Sequence, residues 1–173
     1  AVEGSHRFIK RIWKQVYSHQ AQEKAPSLEI GKLNDGQKAL RRKTHETIKK
    51  VSDDVSRRLT FNTAIAAVME LMNTAAKFND TSPQGLAVMQ ETLDATVLML
   101  APIAPHVCHE LWSILGHEGA IIEASWPTLD ESALTKASQQ IVIQVNGKVR
   151  AKLEMAADVD KETMEKTALD NEN

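Results

Sequence analysis

The stretch that decides the fold is Arg57–Asn73, with the sequence RRLTFNTAIAAVMELMN. Its first two residues are basic, and most of the remainder is apolar. The apolar side chains recur every three or four residues, which is the spacing of one helix face: Phe61, Ile65, Val68, Met72 and Ala75. Leu71 and the alanines widen this face, so we expect neighbours to cover the helix on more than one side. Thr60 or Asn62 is expected to cap its start through a side-chain oxygen.

The same spacing predicts four further helices, at about residues 2–20, 35–58, 83–101 and 105–116. Asn34 or Asp35 is suited to cap the second helix of the chain, and Pro83 suits the first turn of the fourth. On the second helix, the side chains predicted to face inward are Leu40, Thr44, Ile48, Val51 and Val55. Five helices with short connections predict a mainly α fold, an antiparallel helical bundle.

The pattern changes after Gly116. Trp126-Pro127 is predicted to be a loop pinned against the bundle. Two β-rich runs, 141–145 and 149–153, flank Asn146-Gly147, whose residues tolerate positive φ, and this arrangement predicts a β-hairpin. A short helix is predicted over 160–169. We therefore expect three parts: a helical bundle over 1–117, a connecting segment packed on it over 118–138, and the start of a truncated α+β domain over 139–173.

Composition limits the classes of protein that the sequence can encode. Seven glycines, five prolines and 4% aromatic residues favour helices over an all-β fold. The single cysteine, Cys108, excludes an internal disulfide and fits a reducing compartment, so we expect a cytoplasmic protein. No apolar run approaches the ~20 residues that span a bilayer, and no membrane partner is expected. Both ends of the sequence fall within helical patterns, so we expect a piece of a longer polypeptide.

The sequence offers little that could perform catalysis. It contains neither a Gly-rich phosphate loop nor a Gly-x-Ser-x-Gly nucleophile elbow. His106, Cys108, His109 and Glu110 lie close together, but the His-Glu-x-x-His pattern of helical zinc sites is not completed. Two histidines at i and i+3 without a third ligand make a weak metal site. We therefore expect no catalytic residue and no metal in this chain.

Rows of cations favour a binding role, most simply with a phosphate backbone. The candidate residues lie on the first helix, on the second helix and its end, and on the hairpin: Arg7, Arg11, Lys14, Arg42, Lys49, Arg57, Arg58, Lys148 and Arg150. In a regular strand Lys148, Arg150 and Lys152 would share one face. The net charge of −2 requires any such surface to be local. The alternative is that the helix cations merely solvate exposed faces, and that Arg57 and Arg58 cap the end of the second helix.

Several motifs resemble one known family. Arg57–Asn73 resembles a helix of the anticodon-binding domain of class I aminoacyl-tRNA synthetases. So does LAPIAPHVCHELW, residues 100–112, with its two prolines, histidine and final Leu-Trp. Two further stretches are similar to the bacterial leucyl-tRNA synthetases: RFIKRIW, residues 7–13, and VNGKVRAK, residues 145–152. In those enzymes the stretch like VNGKVRAK lies at the beginning of the C-terminal domain. The resemblance covers essentially the whole chain.

This resemblance implies a tRNA-binding helical bundle followed by the start of a domain that contacts the tRNA elbow. The implied partners are tRNA(Leu) and the remaining domains of the same polypeptide, in a monomer. ATP and Mg²⁺ would serve the parent enzyme, whose signatures for ATP chemistry and editing are absent from this sequence. The leucyl family relies little on anticodon bases, which agrees with the lack of an evident base-reading pocket. A helical protein-interaction module, or the equivalent domain of a valyl, isoleucyl or methionyl enzyme, is the alternative.

Overall fold

The structure is a computed structural model that describes residues 2–135, 138–145 and 148–156, with side chains for residues 3–135. Five α-helices make up most of it: α1 Val2–Gln20, α2 Asp35–Asp53, α3 Phe61–Ala75, α4 Pro83–Leu100 and α5 Pro105–Ile114. Short 3-10 helices occupy Ile30–Lys32, Ile121–Glu123 and Glu131–Leu134. The predicted mainly helical fold is confirmed. Within the described residues, no helix is long and apolar enough to cross a membrane.

The chain divides into two compact units, Ala1–Leu134 and Thr135–Asn173. In the first unit α4 is the central helix, because it packs on each of the other four. In addition, α2 packs on α3, and α1 packs on α5. The largest fully buried side chains come from all five helices and include Val16, Leu40, Leu71, Leu93 and Leu111. One continuous core therefore holds the bundle together.

The second unit contains two strands, β1 Ser138–Val145 and β2 Lys148–Ala156, which pair antiparallel. The register changes between Ile143 and Gln144, so that Arg150 falls between the partners of these two residues. The predicted turn Asn146-Gly147 and the predicted helix 160–169 lie outside the described residues. So do the side chains of Lys148, Arg150 and Lys152, and their common face stays a prediction.

The helix that begins at Phe61 is buried along most of the predicted row, but not at the start of that row. Its buried side chains are Ala64, Ala67, Val68, Leu71, Met72 and Ala75. Phe61 was expected to face the core, but it is 44% exposed because it lies in the first turn, and Ile65 is only half-buried. The small alanines let α2 and α4 approach this helix closely. The prediction that neighbours cover it on more than one side is confirmed.

The junction between α2 and α3 also differs from expectation. The chain continues from α2 through one π-helical turn, Asp54–Arg58, and then reverses at Leu59, whose φ is +54°. Thr60 occupies the N-cap position of α3, but its side chain caps no backbone N–H. Instead, the N–H groups of Leu59 and Thr60 both donate to the carbonyl oxygen of Asp54. The expected side-chain cap by Thr60 or Asn62 is therefore wrong.

The starts of α2 and α4 are tied together by one buried glutamine. Asn34 caps α2, as predicted, in a capping box with Gln37: each backbone N–H donates to the other side chain at 2.9 Å. The Gln37 amide nitrogen then donates to Asp80 Oδ2 at 2.8 Å and to Ser82 Oγ at 3.0 Å. Ser82 caps α4 by accepting from the N–H of Gly85, and Pro83 follows it in the first turn, as predicted.

Gly85 is the position where this junction is most crowded. A Cβ built there overlaps the backbone carbonyl oxygen of Asp80 and lies 2.7 Å from Asp80 Cγ. Because the obstacle is backbone, we expect Gly85→Ala to lower the free energy of unfolding by about 1–3 kcal/mol. Gly31→Ala is the control, since nothing lies within 4 Å of its Cβ. Thermal denaturation would measure both, and an equal effect of the two substitutions would contradict the packing argument.

Asp80 should also make stability depend on acid pH. Hydrogen bonds from Ser82, and then from Gln37 and Asn34, lower the pKa of Asp80 to about 2. A lowered pKa stabilises the fold above the unfolded-state value of ~3.9, and this contribution is lost as pH falls toward 2. Denaturant unfolding across this pH range should show a smaller slope in Asp80→Asn than in the wild type. The pKa values of Asp54 and Asp130 are lowered too, so some slope remains. An unchanged slope would contradict the role given to Asp80.

Candidate nucleic-acid interface

The first group of predicted contacts lies on α1. Phe8, Ile12 and Val16 are buried as α1 packs on α4 and α5, which leaves Arg7, Arg11 and Lys14 exposed. The guanidinium carbon of Arg11 lies 5.7 Å from the centre of the Phe8 ring, within the range of a cation–π contact. No salt bridge among the described residues involves these three cations.

The second group, on α2, is more mixed in charge. Arg42 is half-buried, and its Nε lies 3.8 Å from Glu46. Neighbouring Lys43 pairs with Glu70 of α3 at 3.2 Å. Lys49 is exposed, and the described residues offer it no salt bridge. Carboxylates therefore offset part of the positive charge on this face, and Lys49 is its most available cation.

Arg57 and Arg58 hold one carboxylate between them. Arg57 Nη1 lies 3.1 Å from Asp53 Oδ1, and Arg58 Nε lies 2.9 Å from Asp53 Oδ2. The side chains are 82% and 66% exposed, so solvent still reaches both guanidinium groups. Among the described residues, neither side chain donates a hydrogen bond to a helix-end carbonyl, and both form an ion pair with Asp53. Both arginines lie in the last turn of the π-helical segment, where a cation interacts favourably with the helix dipole, so phosphate contact and helix-end capping both stay predictions.

The turn that carries Arg57 and Arg58 is held in place by hydrogen bonds to Asp54. Asp54 is buried and accepts a hydrogen bond from Lys50 Nζ at 3.0 Å. This bond, followed by those from Thr63 and Thr60, holds the pKa of Asp54 below its usual range. These hydrogen bonds to Asp54 fix the turn beneath Arg57, Arg58 and Leu59, and Leu59 is itself 70% exposed. We call residues 57–61, which form this exposed corner, the arginine corner.

Arg41 is a buried, paired cation that the sequence interpretation missed. It is 5% exposed, and its guanidinium bridges Glu91 on α4 at 3.0 Å and Asp130 at 2.7 Å. Hydrogen bonds from Ser132 and then from Arg41 hold the pKa of Asp130 below its usual range. The available signal was its position, since Arg41 precedes Thr44 by three residues and Ile48 by seven and so lies on the inward row. Its role here is structural, because it ties residue 130 to the bundle.

His45 completes the same cluster in a defined tautomer. Its Nδ1 accepts a hydrogen bond from the backbone N–H of Asp130 at 3.1 Å. The proton must therefore be on Nε2, which donates to Glu91 Oε1 at 3.1 Å. Nearby, Trp126 Nε1 donates to Ser52 Oγ on α2 at 2.8 Å, which confirms the predicted pinned loop.

Within the histidine–cysteine cluster of α5, Cys108 packs in the core while His106, His109 and Glu110 are exposed. Cys108 is buried, and burial raises the pKa of its thiol to about 12. His109 Nδ1 accepts from the backbone N–H of Ile121 at 3.4 Å. In the part of the chain that the structure describes, no three His, Cys, Asp or Glu side chains are grouped for a metal ion.

Comparison with known proteins adds the family. The model of the anticodon-binding domain of tRNA ligases matches residues 37–165. The chain belongs to this family. Leucine–tRNA ligases from Marinobacter nauticus, Chromohalobacter salexigens and Hahella chejuensis are 59%, 58% and 54% identical to this anticodon-binding domain over 172 residues, 99% of the chain. These matches confirm the resemblance to leucyl-tRNA synthetases inferred from the sequence. The chain spans about a fifth of the length of the curated relatives it matches.

A solved structure supports the fold of this anticodon-binding domain. The agnB2 LeuRS of Agrobacterium radiobacter K84, in a ternary LeuRS–tRNA–LeuAMS complex, superposes with a TM-score of 0.80 and 27% sequence identity. The match covers 96% of this chain and 21% of that one. The backbone fold of this chain is thus shared with that LeuRS.

The different contributions of Arg41 and its neighbour Arg42 to stability can be tested by substitution. Arg41→Met removes the partner of two partly buried carboxylates, so we expect a loss of about 2–4 kcal/mol in the free energy of unfolding. Arg42→Met removes only a long, half-buried contact and should cost less than about 1 kcal/mol. Urea unfolding would compare them, and similar losses for the two variants would rule out the proposed bridging role of Arg41.

Proposed function

We propose that this chain is the tRNA-binding part of a leucine–tRNA ligase. The observation that carries the proposal is the match of essentially the whole chain to leucine–tRNA ligases within a family of anticodon-binding domains. Leucylation with ATP and Mg²⁺ would be performed by other domains of the polypeptide. This chain would contribute no catalytic residue, and its partners would be tRNA(Leu) and those domains, in a cytoplasmic monomer.

The domain boundaries belong to the same proposal. Residues 1–117 would form the tRNA-binding bundle, and 118–138 the connecting segment packed on it. Two hydrogen bonds support that packing: Arg41 donates to the Asp130 carboxylate, and the Asp130 N–H donates to His45. Residues 139–173 would begin the domain that contacts the tRNA elbow, with the strands β1 and β2 as its first hairpin.

Positioning of tRNA through its backbone is the mechanism that the charges support. Arg7, Arg11 and Lys14 form an exposed row on α1, while Lys49 and the arginine corner extend from α2. Guanidinium and ammonium groups bind phosphate without reading sequence, and each contact releases counterions. Arg42, Lys148 and Arg150 remain candidates in this scheme. A protein-interaction module is the second candidate, and it is favoured only by the net charge of −2.

The arginine corner gives the decisive test. In the full-length ligase we expect the double substitution Arg57→Glu and Arg58→Glu to weaken tRNA(Leu) binding. It should also reduce the slope of log K against log salt by about one unit for each lost phosphate contact. Filter binding or fluorescence anisotropy at several salt concentrations would measure this.

A matched control is Lys77→Glu, which reverses an exposed charge beyond the opposite end of α3. It should leave the salt slope nearly unchanged. If the double variant binds tRNA(Leu) with unaltered affinity and slope, the arginines serve only to neutralise Asp53. If the full-length protein shows no salt-sensitive preference for tRNA over protein partners, the interaction-module hypothesis replaces this one.

A further inference from the structure

The connecting segment contains a strap, residues 121–134, that is fastened to the bundle at several points. Ile121 is buried at the start of the strap. In the middle, Trp126 Nε1 donates a hydrogen bond to Ser52 Oγ of α2 at 2.8 Å. At the end, the short helix Glu131–Leu134 packs on α2. The end of the strap is also where the first compact unit gives way to the second along the chain.

Asp130 holds this end of the strap through its side chain and its backbone. Arg41 Nη2 donates to the Asp130 carboxylate at 2.7 Å, and the Asp130 backbone N–H donates to His45 Nδ1 at 3.1 Å. Hydrogen bonds from Ser132 and then from Arg41 hold the pKa of Asp130 below its usual range, so the carboxylate keeps its charge near neutral pH. The bond to His45 is therefore the part of this anchor that pH can change.

The bond between Asp130 and His45 forms only while His45 is neutral. A backbone N–H is always a donor, so His45 Nδ1 must accept and cannot carry a proton. The other ring nitrogen, Nε2, donates to Glu91 Oε1 at 3.1 Å, and the side chain is only 3% exposed. A proton added to Nδ1 would set two donors against each other and end the bond. Histidine is the side chain that ordinarily changes charge between about pH 5 and 8.

The groups around His45 act on its protonation in both directions. The carboxylates of Glu91 and Asp130 favour the charged imidazole, while burial and the guanidinium of Arg41 oppose it. Asp94 lines the same open cleft beside α2 and α4, and burial raises its pKa, but its described hydrogen bonds do not go to the strap. Of these groups, His45 is the one that loses a bond to the strap when it gains a proton.

We propose that His45 and the backbone N–H of Asp130 form a pH-sensitive clasp, which holds the end of the strap while the imidazole is neutral and releases it when the imidazole is protonated. Arg41 keeps its bond to the Asp130 carboxylate, so release is a local opening of the strap and not unfolding of the bundle. Acidification thereby loosens the residues that lead into the second unit. The clasp needs no RNA, and its failure would leave the proposed function standing.

Hydrogen exchange of the full-length ligase tests the clasp, with mass spectrometry of overlapping peptides that cover residues 127–134. Labelling times are adjusted so that the intrinsic exchange of an unprotected amide is equal at the two pH values. We expect protection of the Asp130 amide to fall about 5- to 30-fold between about pH 7.5 and about pH 5.5, which is the effect of losing one buried hydrogen bond. Equal protection at the two pH values would overturn the proposal.

Two substitutions of His45 separate the clasp from a general effect of acid. An asparagine oxygen can replace Nδ1 as an acceptor but does not titrate, so His45→Asn should keep protection at both pH values. His45→Gln places its acceptor toward the Nε2 position and should lack protection at both. His106→Asn, at an exposed histidine of α5, is the control and should respond to pH as the wild type does. Acid-induced loss of protection in His45→Asn, or identical behaviour of the two His45 variants, would contradict the clasp.

Discussion

The fold depends on a central helix whose polar side chains must all be satisfied inside the bundle. Helix α4 packs on four helices, and its middle turns carry Gln90, Glu91, Thr92, Asp94 and Thr96. Each has a partner on another element: His19 on α1, Arg41, Thr44 and His45 on α2, Met72 on α3, and His117 after α5. Because unpaired polar groups are costly in a core, these bonds restrict how each helix can be placed around α4.

Local rules in the sequence were enough to locate the elements of the bundle. Asn34 and Pro83 mark helix starts through chemistry confined to a few residues, and the structure has both helices there. Position within an element was harder to predict. The spacing of the apolar residues places Phe61 on the buried row. A residue in the first helical turn is buried only if another element packs beside that turn. The spacing within one helix does not show whether such a neighbour exists. The side-chain cap expected at α3 is absent because the N–H of Thr63 donates to the carbonyl oxygen of Thr60 and not to its hydroxyl.

For the candidate interface, too, some features could be predicted from the sequence and others could not. Exposed cations such as Arg7 and Lys14 follow from an amphipathic helix, so the sequence could place them. Arg41 was overlooked because a cation on an inward row is explained only by Glu91 and Asp130, which are 50 and 89 residues further along the chain. Long-range pairing, more than residue type, separates structural charges from available ones.

The pairing of Arg57 and Arg58 with Asp53 has a consequence for selectivity. In the free protein the two guanidinium groups already have an intramolecular anion, held at 3.1 and 2.9 Å. Any external anion must compete with a carboxylate that is always present at high local concentration, so weak or poorly oriented polyanions gain little from these arginines. A ligand fixed in register by other contacts can offer its phosphate at a comparable effective concentration and displace the carboxylate. Asp53 is therefore an internal competitor, and because both ion pairs are largely exposed, it opposes each arginine's contact with phosphate by at most about 1 kcal/mol.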